Sequence, residues 1–120
     1  MPVTFKVKTG DSKSFSLETR QLPAVIGRRD SAAVQLVDPW VSREHCELNV
    51  EDGNLVIRDL GSTYGTFVNR KPVTEAVLKP GDDVQIGISL FRVRYRPTEI
   101  KSYAARQMTN PTRRSPVHAN

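Results

Sequence analysis

The sequence contains only one cysteine, Cys46, among its 120 residues. A single cysteine cannot form a disulfide within the chain, so we expect a fold stabilised by its core alone and a reducing, cytoplasmic environment. Long apolar runs are also missing, and none approaches the ~18 residues that a membrane-spanning helix needs. The N-terminus lacks the basic and apolar regions of a secretory signal peptide. These absences argue against a membrane partner.

The chain also has little excess charge in the region that carries its hydrophobic pattern. The formal net charge is +5, of which residues 97–120 hold +3 and residues 1–96 hold only +2. A nucleic-acid-binding domain usually concentrates its cations on the folded surface, next to aromatic side chains that stack on bases. The charge distribution therefore argues against a nucleic-acid partner.

A repeated alternation of apolar and polar residues is the main pattern that the sequence does contain. It is clear in residues 3–8, 46–51 and 91–96, and turn-forming Gly, Pro, Asp and Asn residues lie between such segments. A period of two indicates strands with one buried face and one wet face. Many short strands at close spacing predict an all-β, mostly antiparallel sandwich, a class that builds binding sites in its end loops.

The alternation stops after Tyr95, where prolines and scattered polar residues follow. We therefore predict one folded domain over residues 1–96 and a flexible basic tail over residues 97–120. Within the tail, residues 100–108 could form one or two helical turns.

Three segments contain residue types that do not serve a hydrophobic core, namely residues 26–29, 41–45 and 61–66. Together they offer arginine guanidinium groups, short hydroxyls and the backbone N–H groups of tight turns. These are the donors that bind a tetrahedral phosphate dianion.

Each segment, taken alone, also has a purely structural interpretation. Arg28 is typical of a solvated strand end and Ser42 of a local loop cap. His45 is typical of a structural histidine that bonds a neighbouring loop. Residues 61–66 suit a hairpin turn in which Gly65 adopts a positive φ. Their joint occurrence in this order, on a sandwich pattern, favours the phosphate-binding interpretation.

The same residues resemble the signature of the forkhead-associated (FHA) domain family, which is roughly GR, SRxH and D-x-x-S-x-N-G-T-x-x-N. In this chain the segments read Gly27-Arg28, then Ser42-Arg43-Glu44-His45, then Asp59-Leu60-Gly61-Ser62-Thr63-Tyr64-Gly65-Thr66-Phe67-Val68-Asn69. The resemblance is clearest from about residue 23 to residue 95. It implies an FHA-like β-sandwich of about eleven strands whose end loops recognise phosphothreonine-containing proteins phosphorylated by Ser/Thr kinases. It implies an adaptor without cofactors rather than an enzyme.

The resemblance also implies roles for individual residues. Arg28 would pair with the phosphate, Ser42 would donate its hydroxyl to it, and Thr63 would be a further donor. Arg43 would reach the phosphate or the peptide beside it. Four residues would brace the loops that present these donors, namely Gly27, His45, Gly65 and Asn69.

Tyr64 departs from the family pattern, which commonly has asparagine at that position. An amide can both donate to and accept from a peptide backbone, whereas tyrosine has one hydroxyl on a rigid ring. We predict that Tyr64, together with Trp40, packs against ligand side chains instead. The alternative for Trp40 is a residue of the core or of a sandwich corner.

Enzymatic functions lack support in the residue pattern. Ser42 and His45 lie only three residues apart, and no acid or nucleophile elbow accompanies them. Residues 61–66 lack the spacing and the lysine of a P-loop. The histidines, Cys46 and the carboxylates show no metal-ligand spacing, so we expect no metal site.

Two other binding modes stay open at the level of sequence. The first is a phospho-independent interaction domain with a vestigial phosphate site. The second is self-association, in which a phosphorylated Thr98, Thr109 or Thr112 of the tail docks into the Arg28 site of its own or a neighbouring chain. A short tether would raise the effective concentration of such a segment.

Overall fold

Eleven strands form two sheets that pack face to face in the computed structural model, which describes residues 2–109. One turn of 3-10 helix (Thr19–Gln21) and one α-helix, α1 (Pro97–Thr109), complete the described chain. The strands are β1 (Pro2–Thr9), β2 (Phe15–Glu18), β3 (Ala24–Gly27), β4 (Val34–Gln35), β5 (Cys46–Glu51), β6 (Asn54–Asp59), β7 (Thr66–Val68), β8 (Lys71–Val73), β9 (Glu75–Leu78), β10 (Asp83–Ile86) and β11 (Ser89–Arg94).

The two sheets have the strand orders β2-β1-β11-β10-β7-β8 and β4-β3-β5-β6-β9. All strand pairs are antiparallel except β3 with β4, which is parallel. The all-β sandwich predicted from the alternation is therefore confirmed, and so is the expected number of strands.

The core consists of the inward positions of the period-two pattern. Val3 and Phe5 of β1 are fully buried, and Phe5 lies opposite Val93 of β11 in the same sheet. The rings of Phe5 and Phe15 stack with centroids 4.9 Å apart, and Phe91 meets Phe15 edge-on at 5.4 Å. Offset and edge-on arrangements are those that aromatic rings prefer, so the ring cluster stabilises the six-stranded sheet beyond its area burial.

One end of the sandwich collects the loops of residues 28–33, 36–45, 60–65 and 87–88, and we call it the apical end. Short backbone hydrogen bonds join these loops where the strands finish. The N–H of Arg28 donates to the carbonyl of Ser42 at 2.9 Å, and the N–H of Leu60 donates to the carbonyl of His45 at 2.9 Å. The three segments picked out in the sequence are thus neighbours in space.

Helix α1 contacts β5 and β6 of the five-stranded sheet. Ile100 is buried and belongs to the hydrophobic core cluster, and the Lys101 ammonium donates to the carbonyl of Gly53 at 3.3 Å. Residues 97–109, assigned from sequence to a flexible tail, form a helix that is docked through Ile100, which is buried in the hydrophobic core cluster. The remainder of the predicted tail lies outside the described residues. No described helix has the length and apolarity to cross a bilayer.

We expect Ile100→Ala to lower the free energy of unfolding by about 2–4 kcal/mol, because it removes a buried side chain and leaves a cavity beneath α1. Ile88→Ala is the matched control, since Ile88 is exposed, and it should change stability by about 0.5 kcal/mol or less. Urea denaturation of the two variants measures both values. Equal effects would contradict the docking of α1.

Candidate functional site

Arg28 follows directly after β3, and its side chain is fixed at one point. Its Nε donates to the carbonyl of Val41 at 3.0 Å, while its backbone N–H bonds Ser42. The side chain is exposed, and its two terminal NH₂ groups have no partner among residues 2–109. A guanidinium anchored through Nε in this way presents a preoriented pair of donors to an anion.

Gly27 allows the β3 end to approach the neighbouring loop. A Cβ atom at this position would lie 2.0 Å from the carbonyl oxygen of Arg43, which no side chain can accommodate. The glycine is thus required for the close packing that brings Arg28 next to Ser42.

Ser42 and Thr63 come from different loops and meet directly. The Ser42 Oγ accepts a hydrogen bond from the backbone N–H of Thr63 at 3.0 Å. Because the oxygen is used as an acceptor, the hydroxyl proton of Ser42 is free to be donated to a ligand. The Thr63 side chain is exposed beside it, so two hydroxyl groups and the Arg28 guanidinium share one small area.

His45 is the buried connection between those two loops. Its Nδ1 accepts from the N–H of Ser42 at 3.0 Å, and its Nε2 lies 2.9 Å from the carbonyl of Gly65. The N–H of Ser42 needs a lone pair on Nδ1, so the proton of the neutral ring is on Nε2 and is donated to Gly65. Gly65 has a φ of +93°, a conformation that glycine adopts without strain.

Asp59 organises the β6–β7 loop from the end of β6. Its carboxylate accepts from the N–H groups of Gly61 and Ser62, both at 3.0 Å, and from the hydroxyls of Ser62 and Thr66. Burial alone would raise the pKa of this carboxyl, but the two hydroxyls and two N–H groups outweigh that effect and lower the pKa below its ordinary value. The loop that carries Thr63 is therefore built around a carboxylate.

Arg43 and Arg29 are two further arginines of the loops that contain Arg28 and Ser42. Arg43 is exposed, and its side chain makes no hydrogen bond or ion pair with the described residues. Arg29 pairs with Glu44 through an NH1–Oε2 distance of 2.6 Å. Of the two, only Arg43 is free to contact a ligand without breaking an existing ion pair.

Tyr64 and Trp40 form an exposed aromatic pair at the apical end. Their ring centroids are 4.7 Å apart with an interplanar angle of 67°, and the residues are 55% and 48% exposed. The interpretation of Trp40 as a core residue is therefore wrong. The pair joins the β4–β5 loop to the β6–β7 loop, and about half of the surface of each residue is open to solvent.

Asn69, the last of the predicted bracing residues, lies at the opposite end of β7. It has a φ of +50°, and it exchanges hydrogen bonds with Asp82 and Asp83. Asn69 stabilises the β7–β8 turn against the start of β10, away from the loops of Ser42 and Thr63.

Asp38 is an apical residue that sequence reasoning missed. Its buried carboxylate accepts from the N–H of Trp40 at 2.8 Å and from the N–H of Ile88 at 3.0 Å. The Asp38-Pro39 pair is a turn signal visible in the sequence. No local pattern indicated that Asp38 would bond Ile88, fifty residues away, because this hydrogen bond depends on the tertiary position of the β10–β11 hairpin.

Groups associated with catalysis or metal binding do not converge in the described part of the chain. No three His, Cys, Asp or Glu side chains among the described residues are placed to hold a metal ion. Cys46 is fully buried, and burial raises the pKa of its thiol, so the group is protonated and poorly nucleophilic.

We expect Asp59→Asn to lower the free energy of unfolding at neutral pH by roughly 1–3 kcal/mol, because the amide leaves hydroxyl and N–H donors poorly satisfied. The folded-state pKa of Asp59 lies below its unfolded value, so its stabilisation is complete above the unfolded pKa of about 3.9 and is lost as the pH falls through the folded value. The difference in the free energy of unfolding between wild type and variant, measured by urea titration, should become smaller below about pH 4. A difference that stays constant with pH would contradict this role.

Comparison with known proteins identifies relatives of this chain. The model of the family described as the FHA domain matches residues 24–87, more than half of the chain. Over 81 residues the chain is 42% identical to the glycogen accumulation regulator GarA of Mycolicibacterium smegmatis, which covers 68% of this chain and 51% of GarA. The chain therefore spans about half the length of such curated relatives.

Solved structures agree with the sequence matches. One, from a structural and functional analysis of phosphothreonine-dependent FHA domain interactions, superposes with a TM-score of 0.70 at 35% identity, over 81% of this chain and 99% of the other. The FHA domain of FhaA, solved in complex with the intracellular domain of Rv3910, gives 0.67 at 36% identity, over 77% and 99%. With fold, loop residues and family model in agreement, the chain belongs to the FHA domain family.

Proposed function

We propose that the apical end binds the phosphate of a phosphothreonine in another protein through Arg28, Ser42 and Thr63. The observation that supports this most directly is the contact between Ser42 Oγ and the Thr63 N–H at 3.0 Å, near the NH₂ groups of Arg28, which have no partner among the described residues. This contact uses the Ser42 oxygen as an acceptor, so the hydroxyl proton is available to a ligand. It also brings donors from three loops together. Arg43 contributes from the side, either to the phosphate or to the peptide beside it.

The strength of this site comes mainly from charge. A phosphate carries about −1.5 to −2 charges and three strong acceptor oxygens. Hydrogen bonds to charged groups contribute about 1.5–3 kcal/mol each, roughly twice the value for neutral pairs. Arg28 therefore contributes more to phosphate binding than Ser42 or Thr63 does singly.

As an FHA domain, the chain is a phosphothreonine-binding module and not an enzyme. We propose that it acts as an adaptor in the cytoplasm and recognises proteins after a Ser/Thr kinase has modified them. The names of several relatives, among them a glycogen accumulation regulator and an oxoglutarate dehydrogenase inhibitor, describe regulatory proteins. The FhaA complex with an intracellular domain supports a protein partner. Self-association through a phosphorylated tail is a further proposal, although Thr112 lies outside the described residues.

The first test is Arg28→Ala, for which we expect a loss of phosphothreonine-peptide affinity of roughly 10- to 100-fold, the loss that follows from removing charge-assisted hydrogen bonds. Ser42→Ala should have a smaller effect. Fluorescence anisotropy with a degenerate phosphothreonine peptide library, beside matched phosphoserine and unphosphorylated pools, measures the affinities.

Arg94→Ala is the matched control for Arg28→Ala, because Arg94 is an exposed arginine on the six-stranded sheet, remote from the apical loops. It changes the net charge equally and should leave the affinity unchanged. If the unphosphorylated pool binds, and Arg28→Ala does not change that binding, the result would favour the phospho-independent alternative and overturn the proposal.

A second test concerns the departure from the family pattern at Tyr64. Tyr64→Ala should weaken phosphothreonine-peptide binding roughly two- to tenfold, since an aromatic contact of this kind contributes about 0.5–1.5 kcal/mol. Tyr64→Phe retains the ring and its contact with Trp40, so it should bind within about twofold of wild type. Unchanged affinity in Tyr64→Ala, measured with the same library, would show that the ring does not contact the ligand.

A further inference from the structure

The edge strands of the two sheets differ in how well their outer backbone groups are protected. The edges of the six-stranded sheet are β2 and β8, and those of the five-stranded sheet are β4 and β9. An open edge carries N–H and C=O groups that can pair with another strand. Proteins protect such edges with very short strands, with lysine or proline, or with groups that cover them.

Three of the four edges carry such protection. Strand β4 has only two residues, Val34–Gln35, and β8 contains both Lys71 and Pro72. At β2 the side chain of Gln21 accepts a hydrogen bond from the N–H of Glu18 at 2.7 Å, so the adjoining 3-10 turn occupies part of that edge. These three edges are poor templates for another strand.

Strand β9 has none of these features. Its four residues, Glu75–Leu78, include neither proline nor lysine. Its one charged residue, Glu75, is paired with Arg58 through an Oε1–NH2 distance of 2.9 Å. Val77 lies on the same face and is 49% exposed, and among the described residues it is the one large exposed apolar residue outside the apical loops. Of the four edges, β9 is the one that suits a partner strand.

The hydrogen-bond pattern between β6 and β9 determines which backbone groups of β9 are free. The two strands pair in an antiparallel register that places Glu75 opposite Arg58. At the next position the N–H of Asp59 donates to the carbonyl of Thr74 at 2.8 Å. Because bonded and non-bonded pairs alternate in an antiparallel ladder, the N–H and C=O groups of Glu75 and Val77 point away from β6. The strand therefore offers two donors and two acceptors at its open edge.

We propose that β9 is the interface of a symmetric dimer, in which two copies of this chain pair antiparallel along this strand and their five-stranded sheets become continuous. A two-fold axis at Ala76 places Glu75 of each copy opposite Val77 of the other. All the free groups of both strands are then paired, which gives four hydrogen bonds. The pairing uses no apical residue, so the inference does not depend on phosphate binding.

The side chains of β9 fit this register. Val77 of one copy lies diagonal to Val77 of the other, so the two exposed apolar side chains come within reach of each other. Glu75 does not oppose the pairing, because Arg58 neutralises it and Lys79 of the second copy lies diagonal to it. Moving the two-fold axis to Val77 would form fewer hydrogen bonds, since the N–H and the carbonyl of Lys79 are both bonded to Asp82.

Sedimentation velocity of the unphosphorylated chain measures this association directly. Because the contact is one short strand, we expect reversible dimerisation with a dissociation constant of roughly 10 µM to 1 mM. Val77→Lys should raise this constant roughly tenfold or more, since it brings two cations together across the axis and protects the edge. Val37→Lys is the matched control, because Val37 is also exposed but lies in an apical loop, and it should leave the constant unchanged.

A second variant and a second measurement test the backbone pairing itself. Val77→Pro removes an N–H that points away from β6, so it should preserve the fold and also raise the dissociation constant roughly tenfold. In wild type, amide hydrogen exchange at Glu75 and Val77 should slow as the chain concentration rises through the dissociation constant. Exchange at Ala76, whose N–H points to β6, should not change.

A chain that stays monomeric up to about 1 mM, or a dimer that neither Val77→Lys nor Val77→Pro weakens, would overturn the proposal. Arg28→Ala should leave the dimerisation unchanged. Loss of the dimer in that variant would place the contact at the phosphate site and would also overturn the pairing along β9.

Discussion

The arrangement of the apical end depends on one buried imidazole, that of His45. The ring satisfies the N–H of Ser42 on one side and the carbonyl of Gly65 on the other, and both bonds are about 3 Å long. Removing the ring would leave a buried donor and a buried acceptor without partners, each at a cost of about 1–3 kcal/mol. The ring therefore connects the loop of Ser42 to the loop of Thr63 and supports the contact between these two residues.

The remaining contacts of the site make it rigid before any ligand arrives. Arg28 is anchored through Nε, the β6–β7 loop closes around Asp59, and Gly27 lets the β3 end approach the next loop. A ligand that enters such a site does not have to order loops, so less of the interaction energy is lost on binding. Rigidity also means that substitutions in the bracing residues act through the positions of Arg28 and Ser42 rather than through direct contact.

Local patterns predicted much of this structure, and long-range contacts account for what they missed. Alternation indicated the strands, and glycine-bounded polar segments indicated the loops that contain Arg28 and Ser42, because both signals lie within a few residues of sequence. The bond from Ile88 to Asp38 and the docking of Ile100 join distant parts of the chain, so no local pattern reported them. The motif alone assigned Asn69 to the apical loops, whereas Asn69 follows β7 at the end of that strand away from the apical loops.

Phosphate recognition alone cannot distinguish one phosphorylated protein from another, since every phosphothreonine presents the same dianion to Arg28. Discrimination has to come from surface that touches the rest of the ligand, and five large apolar residues are exposed at the apical end, namely Val37, Trp40, Leu60, Tyr64 and Ile88. Tyr64 exchanges the two-way hydrogen bonding of the usual asparagine for a rigid ring that rests against Trp40. An amide bonds any peptide backbone, whereas aromatic rings favour particular side chains. Under the proposal that Tyr64 packs against the ligand, this departure from the family pattern shifts recognition from the backbone of the ligand towards its side chains.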